Sequence, residues 1–148
     1  MSYDTVLDTP YETGLRMLLL LHVVNHSATC DYLAALDTLV VNAKTLGVGD
    51  VNLNGTHRFA AGEIGRRVVL IGIALRDLSL RGLVGYDLTK SGVYVLTDDG
   101  HNVANAMSTT YAKRFSWMAQ KVVSQFRNAT DVSLIAYITE RTTESGIR

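Results

Sequence analysis

His22, His26 and Cys30 stand at i, i+4 and i+8, a spacing that lines three zinc-capable side chains along one face of a continuous helix. A structural zinc usually takes four ligands, and no second pair at ligand spacing follows downstream. The helix is also expected to end between His26 and Cys30, so no metal site is expected. Cys30 is the only cysteine, and no local motif pairs it with a histidine base; a buried thiol is ordinarily inert. Asp98 and Asp99 form an acid pair, yet two acids in the positive first turn of a helix are explained by the helix dipole. Gly47-Val48-Gly49-Asp50 is not followed by the Gly-Lys-Ser/Thr that completes a phosphate loop. The expectation is a non-enzyme with no catalytic residues, no cofactor and no small-molecule substrate.

Other residues bear on binding. Arg66 and Arg67 stand together near a helix start, Lys90 sits in a turn, and Lys113 and Arg114 lie on a later helix; these five are candidate contacts to DNA or a partner. Solvated surface charge is the ordinary reading of such residues. Tyr111, Phe115, Met118, Val122 and Phe126 alternate spacings of four and three, much like a helix-pairing seam, with Trp117 beside Met118 as an aromatic able to anchor a partner. Tyr111, Phe115, Trp117, Met118 and Phe126 are therefore the candidate partner interface; packing onto the domain's own core is the competing reading. Asp37, between Leu36 and Leu39, reads as a half-buried carboxylate held by Arg16 or a backbone N–H, a structural role.

The elements that place these residues are mostly helical. Thr9-Pro10-Tyr11-Glu12 is a helix start, with Thr9 as cap, Pro10 at the first helical position and Glu12 completing a capping box. That helix should run to about Asn25, and its middle, Leu15 to Val24, is apolar nearly all round, which implies burial on more than one side. A second helix opens at Thr29 or Asp31 and is expected to end near Leu46-Gly47. A Gly/Asn-rich loop follows, then a third helix from about Ala61 to Arg81. Gly82 marks its end. Val84, Tyr86 and Leu88 alternate along one face of a strand, and Thr89-Lys90-Ser91-Gly92 turns into a second strand from Val93 to Leu96. Thr97 caps a helix from Asp98 to Met107, and another runs from about Thr109 to Arg127. Val132 to Arg141 is helix or strand; helix is preferred, because Thr130 can cap it and Leu134, Ile135 and Ile138 cluster on one face.

Helix, hairpin and helix in this order are the layout of a winged-helix domain. The fold class expected is mainly α with a small β-hairpin, one domain over 1–148: a winged-helix core at about 9–107 and a helical extension at about 108–148. Of 148 residues, 47% are hydrophobic and 19% charged, with one proline, so the chain is an ordinary globular one. Formal net charge is zero, which lacks the basic signature of a dedicated duplex binder. A single cysteine, acids at the N-terminus and no apolar run near the roughly 20 residues of a membrane span point to a cytoplasmic chain with no membrane contact.

The helix before a wing normally reads the major groove with a polar face. Here Val68 to Leu75 carries no charged or hydrogen-bonding side chain, over more than two turns. In a groove each large aliphatic would forfeit roughly 1.5–3 kcal/mol of burial. This section is expected to be covered by protein on all sides.

Thr9-Pro10-Tyr11-Glu12-Thr13-Gly14-Leu15-Arg16, then Leu36-Asp37-Thr38-Leu39-Val40, Glu63-Ile64-Gly65-Arg66-Arg67, Arg81-Gly82-Leu83-Val84 and Leu96-Thr97-Asp98-Asp99-Gly100 occur in that order. Together they resemble the small middle components of ABC-three-component systems. The family loop before the Glu–Arg-Arg element typically carries proline, and Leu53 to Phe59 here has none. The resemblance implies a winged-helix adaptor between an SMC- or Rad50-like ABC ATPase and an effector, often a nuclease. Such systems act against phages and plasmids, as in Lamassu-type defence, with DNA engaged mainly through the complex. The alternative is a DNA-binding winged-helix transcriptional regulator.

Overall fold

The computed structural model describes residues 9–55, 63–87, 89, 90 and 92–146. Leu88, Ser91 and the helix start expected near Ala61 lie outside them. The elements are α1 (Pro10–Val24), β1 (Ala28–Thr29), α2 (Cys30–Val41), α3 (Glu63–Leu80), β2 (Val84–Asp87), β3 (Val93–Leu96), α4 (Asp98–Ala106), α5 (Thr110–Gln125) and α6 (Asp131–Gly146). The preference for helix after Thr130 holds, with Thr130 Oγ1 accepting from the Ser133 N–H and Ser133 Oγ accepting from the Thr130 N–H.

Threonine caps start most of the helices. Thr9, Thr29, Thr97 and Thr109 each accept from the backbone N–H three residues on, satisfying a donor that the helix leaves unpaired. Asn25 ends α1 in the left-handed region at φ 56°, which asparagine tolerates better than most residues. Gly82 ends α3 at φ 77°, and the Leu83 N–H returns to the Leu78 carbonyl.

α1 is central, as its all-round apolar middle implies: Met17, Leu18, Leu20 and Leu21 are buried, and α2, α3, α4 and α5 all pack on it. α3 and α5 both lie against α1 and α2 yet make little or no contact with each other. They are therefore two separate outer elements on a shared core. α6 adds Leu134 and Ile138 to the same core against α2.

Two departures from the expected elements are informative. α2 stops at Val41, not near Leu46. Thr38 Oγ1 donates to the Ala34 carbonyl, while Asn42 Nδ2 and the Asn42 N–H both donate to the Thr38 carbonyl. These side chains take up carbonyls at the helix end, and the chain continues as an irregular turn. Gly47, at φ 75°, ends that turn. The second departure is β1, two residues long, which adds a third strand beside the hairpin in the order β1-β3-β2, all antiparallel. Nothing in Ala28-Thr29 marks a strand except its place opposite Tyr94 and Val93.

The hairpin packs through one end. Val84 and Leu96 are paired and buried, whereas Tyr86, paired with Tyr94, is half exposed and meets it edge to face at 5.3 Å. Gly100 in α4 sits where an added Cβ would run into the Leu83 carbonyl oxygen and Leu96 Cδ2. The Leu83 carbonyl is fixed by the Thr97 N–H, so it cannot yield freely. Gly100→Ala should cost about 2 kcal/mol or more from overpacking, read as a fall in the urea midpoint at unchanged slope.

Candidate functional site

His22, His26, Cys30 and Asp37 each make a contact within the fold. His22 Nδ1 lies 2.9 Å from His101 Nδ1, a contact that ties α1 to α4 and requires one ring to offer a lone pair. α1 ends at Val24, so His26 and Cys30 lie beyond it and the helical row of three is not formed; His26 Nδ1 bonds the Ser27 carbonyl. Among the described residues no group of three or more His, Cys, Asp or Glu side chains could hold a metal ion. Cys30 Sγ donates to the Val68 carbonyl at 3.4 Å. Burial, and then the charge of Asp31, push its thiol up to about 11. At pH 8 it should be alkylated on the order of 100-fold more slowly than a free cysteine, because the thiolate is scarce. A timed reaction with iodoacetamide, followed by intact mass, checks this.

Asp37 is fully buried and deeper than the half-buried position expected. Arg16 donates through Nε to Oδ1 at 2.9 Å and through Nη2 to Oδ2 at 3.2 Å, and Arg67 Nη1 donates to Oδ2 at 2.8 Å. Arg67 also reaches Glu63 Oε2 at 3.4 Å. Burial alone would raise the Asp37 pKa, but the two guanidinium charges and their hydrogen bonds outweigh it and hold the carboxyl below the usual range. This network joins α1, α2 and α3. Arg67 therefore makes no surface contact, which corrects its place among the candidate DNA or partner residues. Only Arg66 of that pair is exposed, with Glu63 3.8 Å away.

The aromatic seam is likewise split. Phe115 is buried, at 0% exposure, and serves the domain's own core, contrary to the interface reading, while Met118, at 1%, is buried except where it floors the cavity described below. Tyr111 is partly buried, and its hydroxyl donates to Asn54 Oδ1 at 2.7 Å. Phe126 packs edge to face on Tyr137 at 5.1 Å. Trp117, off the seam, is 61% exposed. An amphipathic spacing fixes which residues share a face but not whether another element of the same chain covers it.

Two exposed surfaces among the described residues bear on the candidates. One is on α3, where Arg66, Val69, Ile73, Arg76 and Leu80 recur at spacings of three and four. Val69 is 62%, Ile73 52% and Leu80 80% exposed, so the expected cover on all sides is not found. Ile71, Ala74, Leu75 and Leu78 occupy the opposite side and are buried against α1 and α2. The middle of the helix is apolar all round, yet only one side is covered by another element among the described residues.

The other is a cavity of about 380 Å³ between α5 and the loop after α2, lined by Asp50, Val51, Leu53, Lys113, Arg114, Trp117 and Met118. Its loop wall is pinned from several sides. Thr45 donates its N–H to Asn52 Oδ1, Asn52 Nδ2 donates to Thr45 Oγ1, and Tyr111 holds Asn54. Gly49 lets the loop close over the floor, since a Cβ there would meet Met118 and Ala43 at 2.9 Å. Four of the sequence candidates, Lys113, Arg114, Trp117 and Met118, thus meet at one place. Lys90 sits apart on the hairpin turn. Val51 and Leu53 carry no signal of this role in the sequence beyond being two aliphatics two residues apart in a polar loop.

Residues 6–148 match the family described as ABC-three component (ABC-3C) system Middle Component 2, and the chain belongs to that family. It is thus a component of an ABC-three-component defence system. Membership implies association with the other components, an ABC ATPase and an effector. Comparison with curated proteins found no match, and comparison with solved structures found none. No helix among the described residues is long and apolar enough to cross a membrane.

Proposed function

We propose that this chain is a non-catalytic bridging subunit that joins an SMC- or Rad50-like ABC ATPase to an effector nuclease and holds the effector until activation, as in Lamassu-type systems. The observation that carries this reading is the solvent side of α3, where Val69, Ile73 and Leu80 alternate with Arg66 and Arg76, so that only the arginines could act as donors. Groove reading needs donors and acceptors along that side. Aliphatics gain instead by being covered with protein, at about 1–2 kcal/mol each for the area still open.

The order helix, short strand, helix, helix, hairpin, with strands paired β1-β3-β2, supports a winged-helix core, to which α5 and α6 are added. Two outer surfaces on helices that share a core but scarcely touch suit a chain that holds two partners at once. The non-catalytic reading is supported by the roles of three such groups among the described residues: Asp37 is paired with Arg16 and Arg67, Glu63 with Arg67, and Cys30 is held as the thiol. In this reading the chain works in the cytoplasm and meets DNA mainly through the assembly.

Co-expression with the ATPase and effector of the same system, followed by size exclusion, tests this. The chain is expected to elute with both at fixed stoichiometry. Elution of the chain by itself, as a DNA-binding homodimer, while the other two form a complex would overturn the proposal.

A further inference from the structure

The cavity beside Trp117 has a definite chemical character. Its floor and far wall are Met118, Val51 and Leu53, and Trp117 forms a side that is open to solvent. Its volume of about 380 Å³ accommodates one large aliphatic or aromatic side chain with some of its backbone. Lys113, Trp117 and Lys121 follow at i, i+4 and i+8 along α5, a row of about 12 Å with cations at both ends and the indole between. Lys121 Nζ stands 5.4 Å from the centre of the Trp117 ring. Arg114 adds a third positive charge, against the single acid Asp50 on the loop side. Lys113 and Arg114 have no ion-pair partner among the described residues, so α5 offers net positive charge around an apolar hole in a chain that is neutral overall.

We propose that this cavity receives a segment of a partner protein whose large apolar side chain fills the hole while carboxylates to either side meet Lys113 and Lys121. Each cation lies about 6 Å along α5 from Trp117. That is two residues in an extended segment or four in a helical one, so the matching sequence carries an acid at those distances on both sides of the apolar anchor. Single-stranded nucleic acid is the less suitable occupant. A base needs polar groups at its edges, and the hole offers it aliphatics and a thioether, while Lys121 already stands over the indole that would do the stacking. The proposal rests on the bridging reading and specifies how one of the two partners is held. The pinned loop means the site is formed before binding, which spares the ordering cost that a mobile loop would add.

The test uses the complete chain with the purified ATPase and effector. The double variant Lys113→Glu/Lys121→Glu and the single variant Trp117→Ala are compared with the unaltered chain by biolayer interferometry against each component. All three positions are exposed or at the rim, and circular dichroism verifies that the fold is kept. Binding to one component should weaken at least tenfold in both variants, and the loss in the charge variant should shrink as salt rises. A photo-crosslinking residue at Val51 should attach to an acidic segment of that same component. Changing the two acids of that segment to lysine should restore binding to the charge variant. Unchanged affinity for both components, or a crosslink to nucleic acid or to a segment without acids, overturns the cavity assignment and leaves the bridging reading standing. Failure of the unaltered chain to bind either component overturns both.

Discussion

Asp37→Asn should destabilise the chain by about 3–5 kcal/mol, one of the largest effects of any single substitution in it. The change keeps the shape of the side chain and removes the charge that two buried arginines share. Arg16 and Arg67 then face one another's charge in the core, at 1% and 6% exposure, without a carboxylate between them. For a chain of this length the melting temperature should fall by roughly 10 °C. Asp77→Asn is the natural comparison, because Asp77 and Arg81 form an equally short pair, 2.9 Å, on the surface. With both side chains more than half exposed, that change should cost less than about 1 kcal/mol. Urea melts of the two variants beside the unaltered chain separate a network that organises three helices from an incidental ion pair. Equal, small losses would mean that the buried network does not hold α1, α2 and α3 together.

The pH dependence follows from the same geometry. Folding lowers the Asp37 pKa, so the network's contribution is complete above the unfolded value of about 3.9 and is lost as pH falls through the lower folded value. The unaltered chain should therefore lose stability steeply below about pH 4, and the Asp37→Asn variant should lose less over the same interval.

The second large effect concerns binding. Val69→Glu combined with Ile73→Glu should leave the isolated chain within about 1 kcal/mol of its original stability, since both side chains are more than half exposed. Its affinity for one component of the assembly should fall by about 100-fold, because two buried aliphatics are replaced by charges that a partner's apolar surface cannot solvate. The partner held at the Trp117 cavity should still bind. Titration calorimetry against each component separates these outcomes. Loss of both partners together would place them on one shared surface, and loss of neither would remove α3 from the interface.

These effects were unequally legible in the sequence. Caps and turns read well: Thr9, Thr29, Thr97, Thr109 and Thr130 act over three residues, and the hairpin is set by alternation around a Gly-containing turn. The Arg16–Asp37 pair was also within reach, because an aspartate in an apolar helix needs a cation. Arg67 was not, since its neighbour Arg66 is chemically identical and only the packing of α3 turns one inward and the other out. Apolar content was read correctly on α3 but its cover was not. A sequence shows that Val69 and Ile73 are hydrophobic, and cannot show that no described element lies over them. The cavity at Trp117 depends on Val51 and Leu53 arriving from a loop whose path is fixed by Thr45, Asn52 and Gly49. Contacts of that kind arise from tertiary closure and leave no periodic trace.

Bridging is tested most directly by pulling on the ATPase and weighing the effector that comes with it, in the presence and absence of this chain. Native mass spectrometry of the recovered species should show the ATPase alone when the chain is withheld and a three-component assembly when it is supplied. Equal recovery of effector by the ATPase with and without the chain would contradict a bridging role.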